Sequence, residues 1–216
     1  MSTGPFNLSQ FNVAIRNLDL GQNSILDCGC GVGKMGHHIR CLMRQNGHKS
    51  LIIGCDIWKP FLEIAKKYNP YDSLVLCDIN HLPFKEKCFD VSIAFDVIEH
   101  LSKPNALKVI KNLAAISRKK VVLSLPYGLT FQDEDYGNKF EKHLSFWRED
   151  EFEKLGFYAE VCGREGWLIH VIKFLRFGKL LQKLNDWIMR IHPTPGRFFI
   201  FATKDIERDN VVTSES

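Results

Sequence analysis

The sequence predicts an α/β domain built on a doubly wound, mostly parallel sheet. Short apolar runs alternate with helical patterns between residues 24 and 126. Each run is continuously apolar, which is typical of parallel strands covered on both faces. Directly after the first run, the stretch "ILDCGCGVGKMG" places four glycines within eight positions, where a strand must turn sharply into a helix. Strand and helix alternation of this kind favours right-handed crossovers and a doubly wound sheet.

Five strands and three helices account for the first part of the chain. The predicted strands are residues 24–28, 51–55, 73–77, 90–95 and 120–125. Apolar residues at three- and four-residue spacing predict helices over 34–46, 60–68 and 105–117. Ligands of such sheets bind at the carboxyl ends of the strands, near the point where the strand order reverses. The glycine-rich stretch lies at one of these ends.

The pattern changes after residue 126. The polar and aromatic stretch 126–143 lacks a clear period, as in lids and binding loops. A helix in "WREDEFEKLGF", ended by Gly156, precedes a strand at 157–162, and "RFFIFATK" predicts a last strand at 197–204. The charged, serine-rich residues 205–216 predict a disordered tail.

Composition indicates one ordinary globular domain over residues 1–216. The chain has 216 residues and a net charge of +4, which does not by itself indicate a nucleic-acid partner. It contains no run of 18 apolar residues and no signal peptide pattern. Its seven scattered cysteines favour buried thiols in a reducing compartment. We therefore expect a cytoplasmic protein that does not bind nucleic acid.

The glycine-rich stretch fits a phosphate-binding P-loop poorly. That motif requires a glycine five positions before Gly33, where this chain has Cys28. It also requires a serine or threonine after Lys34 to bind magnesium, and Met35 stands there. The spacing excludes this kind of site.

A dinucleotide-binding loop fits the spacing better. Gly31, Gly33 and Gly36 match the pattern G-x-G-x-x-G, and Asp56 follows 20 residues later, where it can hold a ribose diol. This isolated match is weak evidence, and tight strand-to-helix packing without a ligand is an alternative.

A third interpretation uses more of the chain. "LDCGCGVG" resembles the first motif of the class I S-adenosylmethionine-dependent methyltransferases, and the resemblance continues through 54–58, 76–84 and 89–101. The segment from "PYG" to "EFEKLGF" resembles the methyltransferase type 11 relatives, so that the match covers 22–163 and 197–204. It implies a Rossmann-like seven-stranded sheet with an antiparallel last strand. Residues 167–191 lie where the family usually has a short hairpin, so we expect a helical insertion at 167–195 that the family core does not explain. The resemblance also implies S-adenosylmethionine as the cofactor.

The resemblance assigns roles to the residues after the first four strands. The glycines let the main chain pass close to the cofactor, Asp27 attracts its ammonium, Asp56 accepts from the ribose hydroxyls and Asp78 accepts from the adenine amine. The carboxylates have an alternative role as caps of strand-to-helix turns. The implied cofactor-binding residues are Asp27, Gly29, Cys30, Gly31, Gly33, Asp56, Ile57, Trp58, Asp78, Ile79, Phe95 and Asp96.

The acid after the third strand favours a methyltransferase, because a dehydrogenase fingerprint does not require it. We therefore expect transfer of a methyl group to a small-molecule or lipid-linked acceptor. An NAD-dependent oxidoreductase and a cofactor-binding module without catalysis are the alternatives.

The acceptor side is predicted in the loop at 126–147, which leaves the fifth strand on the same rim as the glycines. His143 is the candidate catalytic residue, because its ordinary pKa near 6.5 suits a general base. The alternative is that Ser145 caps the following helix and His143 packs beside it. Aromatic and polar side chains of the loop also suit an acceptor: Tyr127, Tyr136, Asn138 and Trp147.

No metal site is predicted. Cys28 and Cys30 are spaced too closely for the usual zinc motifs, and His37 and His38 fit a helix surface. His100 follows the fourth strand, where it either reaches the mouth of the site or makes a structural hydrogen bond.

The segment 167–191 is basic and amphipathic. Five lysines and arginines oppose the single acid Asp186, beside a continuous apolar face and two tryptophans. Such a segment can contact an anionic membrane or cover an apolar acceptor site. The alternative is a helical hairpin packed on its own domain.

Overall fold

The computed structural model describes residues 18, 21, 24–128, 132–134, 137–163 and 198–206. These residues form a seven-stranded sheet in the order β3-β2-β1-β4-β5-β7-β6. Within this sheet β7 runs antiparallel to both of its neighbours, and the other strands are parallel. The strands are β1 (Ser24–Cys28), β2 (Leu51–Asp56), β3 (Ser73–Leu76), β4 (Phe89–Phe95), β5 (Ser117–Pro126), β6 (Tyr158–Gly163) and β7 (Phe198–Asp205).

Helices connect most of the parallel strands. They are α1 (Lys34–Gln45), α2 (Lys59–Tyr68), α3 (Lys103–Ile116) and the short α4 (Glu149–Glu153). Two 3₁₀ turns follow strand ends, Ile79–His81 after β3 and Ile98–His100 after β4, and another within the described residues is Lys139–Glu141, between β5 and α4. The doubly wound class, the seven strands and the antiparallel last strand predicted from the sequence are confirmed.

Apolar layers cover both faces of the sheet. Successive residues of β1 enter opposite layers, since Ile25 packs with the α1 side and Leu26 with the α3 side. Both side chains are fully buried. Because side chains alternate across a strand, burial on both faces explains why the strand is apolar without interruption.

The strand order reverses between β1 and β4. The chain moves outward from β1 to β2 and β3, then returns to place β4 on the other side of β1. Connections therefore leave these two neighbouring strands in opposite directions, and a crevice opens at their carboxyl ends. The loops after β1, β2, β3 and β4 all reach this edge.

Several predicted boundaries differ from the structure, most of them by one or two residues. β5 starts at Ser117, three residues before the prediction, because Ser117 pairs with Phe89 of β4. The N-cap of α4 is Arg148, whose N–H donates to Glu151 Oε2 at 3.0 Å, so Ser145 is not the cap. The tail prediction is wrong for residues 205 and 206, since β7 extends through Asp205 and Ile206 is buried.

The predicted helical insertion at 167–195, with its amphipathic segment 167–191, and the rest of the tail at 207–216 lie outside the described residues. Among the residues that the structure describes, no helix combines the length and apolar character that a membrane crossing requires.

Candidate cofactor site at the carboxyl ends of the strands

The loop between β1 and α1 lies at the reversal point of the sheet. Gly29 has a φ of +69°, and a Cβ there would lie 2.3 Å from Val97 Cγ2. Gly31 has a φ of +54°, and its nearest heavy atom to such a Cβ would be Phe61 Cδ2 at 4.0 Å. Glycine is therefore required by packing at the first position and by backbone conformation at the second. The space beside Gly31 is open, as a close ligand needs.

Asp56 ends β2 directly beside this loop. Its Oδ2 accepts from the Gly31 N–H at 2.8 Å and its Oδ1 from the Trp58 N–H at 2.7 Å. Burial raises the pKa of this carboxyl, whereas the backbone donors lower it. A carboxylate offers about four lone-pair sites, so these two bonds leave it able to accept further donors such as a ribose diol.

Asp27 lies below the loop and is only 2% exposed. Its Oδ2 accepts a hydrogen bond of 2.6 Å from the Tyr71 hydroxyl. Burial raises the pKa of Asp27 to about 7, the Tyr71 bond lowers it, and the charge of Asp56 adds a smaller rise. The carboxyl therefore titrates near neutral pH, and a nearby cation would favour its charged form.

Asp78 follows β3 and caps the 3₁₀ turn at Ile79–His81. Its Oδ1 accepts from the backbone N–H and the side-chain amide of Asn80, both at 2.8 Å. Its Oδ2 lies 3.8 Å from His81 Nδ1. Asp78 thus has the capping role that was the alternative to cofactor binding, and its contact with the adenine stays a prediction.

The other predicted cofactor residues differ in their exposure. Cys30 is buried, and burial raises the pKa of its thiol, so its side chain belongs to the core beside Gly54. Asp96 is exposed, and its own backbone is in the left-handed region with a φ of +54°. The half-buried members around the crevice are Ile57, Trp58, Ile79 and Phe95.

The acceptor-side prediction is wrong for two loop residues. Trp147 is 1% exposed, its Nε1 donates to Ser145 Oγ at 2.8 Å, and Lys103 Nζ lies 3.9 Å from its ring centre. Asn138 is also buried, and its Oδ1 accepts from the Phe140 N–H. Both side chains hold the fold, because their polar atoms are already bonded within the domain. Tyr127 is half-buried, and Tyr136 lies outside the described residues.

His143 lies beside the turn that follows β4. Its ring centre is 4.9 Å from that of His100, with the rings edge to face. Its backbone N–H donates to the Gln132 carbonyl at 3.0 Å. His100 Nδ1 lies 3.2 Å from the Lys142 carbonyl oxygen. Burial, with a smaller effect of His143, lowers the pKa of His100 to about 4. The structural hydrogen bond foreseen for His100 is present.

Glu99 completes this cluster and was missed by the sequence analysis. It is 2% exposed, and burial raises the pKa of its carboxyl well above the ordinary value. Its backbone oxygen accepts from the N–H groups of Leu144 and Ser145. The phrase "DVIEHL" carried a weak signal, since it places Glu99 beside His100 four residues after the end of β4, at the carboxyl edge of the sheet. Within the described ranges, Glu99, His100 and His143 are the group of side chains close enough to share an ion.

Comparison with known proteins identifies the kind of domain. The family model described as "Methyltransferase domain" matches residues 26–124, which contain the glycine loop, Asp56 and Asp78. The match covers just under half of the chain, from β1 to β5. The domain is that of an S-adenosylmethionine-dependent methyltransferase, and none of the comparisons supports an oxidoreductase.

Relatives of this methyltransferase domain include larger proteins. The human protein named "Probable tRNA methyltransferase 9B" is 34% identical over 93 residues, covering 43% of this chain and 18% of its own length. An uncharacterized protein of Methanocaldococcus jannaschii is 27% identical over 135 residues, or 62% of this chain and 54% of its own. The chain spans less than a fifth of the length of the tRNA methyltransferase 9B relatives.

Solved structures share the fold. Magnesium protoporphyrin IX methyltransferase from Synechocystis with bound S-adenosylmethionine superposes with a TM-score of 0.54 at 15% identity, covering 91% of this chain and 76% of its own. Phosphoethanolamine N-methyltransferase 2 from Haemonchus contortus gives a TM-score of 0.58 at 14% identity, covering 93% and 53%. At these identities the likeness shows the fold of the methyltransferase domain.

The pKa of Asp27 makes cofactor affinity depend on pH. If the cofactor ammonium contacts this carboxylate, binding below about pH 7 must first remove a proton. We expect S-adenosylmethionine to bind roughly tenfold more tightly at pH 8 than at pH 6, measured by calorimetry. The other buried titratable groups near Asp27 have raised pKa values and stay neutral in this range: Tyr71, Cys28, Cys30 and Cys55.

The matched control is Asp27→Asn, which keeps an acceptor for Tyr71 and removes the titration. It also corrects for the amine of the cofactor, which titrates in a similar range. Identical pH profiles for the two proteins would show that Asp27 does not bind the ammonium.

Proposed function

We propose that this domain transfers the methyl group of S-adenosylmethionine to a small-molecule or lipid-linked acceptor. The observation that carries the proposal is the position of Asp56. Two backbone N–H groups, one from the glycine loop, fix its carboxylate at the end of β2. A hydrogen-bond acceptor fixed beside open main chain suits a ribose. The match to a methyltransferase domain indicates that this ribose is that of S-adenosylmethionine.

In the proposed complex, the cofactor lies along the strand ends from β1 to β3. Its methionine part passes over the glycines toward Asp27, and its adenine lies between Ile57 and Ile79 near Asp78. Charge-assisted hydrogen bonds to Asp56 hold the ribose. This arrangement directs the sulfonium toward β4 and the segment after β5, where an acceptor can approach.

Methyl transfer is an in-line displacement in which the positive charge of sulfur disappears. The main task of the protein is therefore to align the nucleophile, the methyl carbon and the sulfur. Such positioning can lower a barrier by roughly 7 kcal/mol or more. A general base adds to this only when the acceptor must lose a proton in the transition state.

We propose His143 as the general base that removes this proton from the acceptor. It is half-buried on the segment that follows β5, at the same edge of the sheet as the glycine loop. Its main chain is fixed by Gln132 and its ring by contact with His100. The position supports the role predicted from the sequence, which the next measurements test.

A tRNA acceptor is the second candidate. It is favoured by relatives named as tRNA methyltransferases, among them the Arabidopsis thaliana tRNA (carboxymethyluridine(34)-5-O)-methyltransferase, which is 34% identical over 85 residues. Phe140 is 36% exposed near the site, and Lys139 Nζ lies 5.3 Å from the centre of its ring. An exposed aromatic ring beside a cation suits an unstacked base.

The acceptor class can be determined with S-adenosylmethionine carrying a labelled methyl group. The protein is incubated with total tRNA, with a lipid extract or with a deproteinised small-metabolite extract, and the label is separated into acid-precipitable, organic-soluble and aqueous fractions. We expect label in organic-soluble products, or in aqueous products that chromatography separates from S-adenosylmethionine, with tRNA at background. Label in tRNA that is released by ribonuclease would instead establish the second candidate, and label in none of them would contradict methyl transfer to these classes.

The role of His143 is tested by His143→Ala, with His48→Ala as a control at an exposed position outside the site. Loss of the base should lower kcat by about 100-fold, while cofactor affinity and Tm stay unchanged. The role is excluded if turnover survives, or if cofactor affinity and Tm fall together with turnover.

A further inference from the structure

We infer that Glu99, His100 and His143 form a binding site for a divalent first-row transition metal ion. One potential ligand atom of each side chain lies within 4.8 Å of the others. Ligands of a tetrahedral zinc ion lie roughly 3.4 Å from one another, given bonds of about 2.0–2.2 Å. Small side-chain rotations therefore bring the three atoms to bonding distance.

The state of Glu99 points to a cation. The residue is 2% exposed, and within the described part of the chain neither carboxylate oxygen has a hydrogen-bond partner. A buried carboxylate without a partner is costly, whereas a bound cation supplies both charge and coordination. The Glu99 carboxyl group therefore lacks a hydrogen-bond partner among the described residues, and a bound cation would provide one.

The ring of His100 is already oriented as in metal-bound histidines. Its Nδ1 faces the Lys142 carbonyl at 3.2 Å, and because a carbonyl can only accept, Nδ1 carries the proton. This leaves Nε2 as the nitrogen able to coordinate. A second-shell carbonyl of this kind fixes the tautomer and direction of a histidine ligand.

The backbone holds the two halves of the site together. Glu99 and His100 lie in the turn after β4, and His143 lies in the segment after β5. The Glu99 carbonyl accepts from Leu144 at 2.8 Å and from Ser145 at 3.0 Å, so His143 is fixed next to the turn. The three ligands therefore have little freedom to separate, which lowers the entropy cost of binding an ion.

The donor set selects the class of ion. Two imidazoles and one carboxylate suit Zn²⁺, Fe²⁺, Co²⁺ or Mn²⁺, whereas Mg²⁺ and Ca²⁺ prefer oxygen donors throughout. Three protein ligands leave coordination positions for another molecule. Coordination would also occupy the lone pair of His143, so the base role proposed above applies to the protein without a bound ion. The ion site itself does not depend on that function.

Metal binding can be measured directly on the full chain. We expect metal-free protein to bind one Co²⁺ with a visible d–d spectrum that lacks a thiolate charge-transfer band, and to show a higher Tm with Co²⁺. Glu99→Gln keeps the side-chain shape and should weaken Co²⁺ binding at least tenfold and remove the Tm shift. His48→Ala is the matched control and should bind like the unmodified chain.

Three results would overturn the site: no Co²⁺ binding, a thiolate band, or equal affinity in Glu99→Gln. Because glutamine keeps the shape of glutamate and brings no charge, the metal-free Tm of Glu99→Gln should not fall, so a loss of Co²⁺ binding there reports on ligation. S-adenosylhomocysteine affinity is measured on the same samples. If the unmodified chain binds Co²⁺ but not S-adenosylhomocysteine, the proposed function is contradicted and the metal site is still supported.

Discussion

The hydrogen bond between Tyr71 and Asp27 is the interaction on which the candidate site depends. It joins the end of β1 to the segment after α2 across 44 residues, at 2.6 Å. The Tyr71 ring then fills the space under the glycine loop, so that a Cβ on Gly36 would lie 2.3 Å from its Cζ. The glycine at 36 thus serves packing inside the protein, whereas the opening beside Gly31 faces a ligand.

This arrangement separates the tasks of the two carboxyls near the loop. Asp27 is enclosed by Tyr71 and the core, so burial raises its pKa toward neutrality. Asp56 lies one strand away, and main-chain donors on both sides stabilise its charge. A buried carboxyl that ionises next to a cation and a fixed hydrogen-bond acceptor together match a ligand with an ammonium at one end and a diol in its middle.

The sequence could predict most of the fold and about half of the site. Strands such as β1 and β4 were visible because burial on both faces makes them apolar throughout, and Asp56 was visible because it ends such a strand. Tyr71 could not be assigned, because its partner is distant in sequence and no local pattern encodes the pairing. The prediction that Trp147 and Asn138 contact the acceptor was wrong for a related reason. Aromatic and amide groups look alike in a binding loop and in a core, and only their burial distinguishes them.

The cluster at Glu99 shows the same limit on the acceptor side. His100 and His143 were each singled out, but 42 residues separate them, and Glu99 drew no attention as a ligand. The turn after β4 and the segment after β5 meet through the backbone bonds to the Glu99 carbonyl, the bond between His100 and the Lys142 carbonyl, and the contact of the two histidine rings. Contacts of this kind arise from tertiary structure and leave no periodic trace in the chain.

Cofactor binding by the glycine loop and Asp56 can be measured by calorimetric titration of the full chain with S-adenosylhomocysteine, S-adenosylmethionine and NAD. We expect both sulfur compounds to bind with one site per chain, to compete with each other and not to be displaced by NAD. Binding of NAD at this site, or no binding of either sulfur compound to folded protein, would rule out this cofactor site.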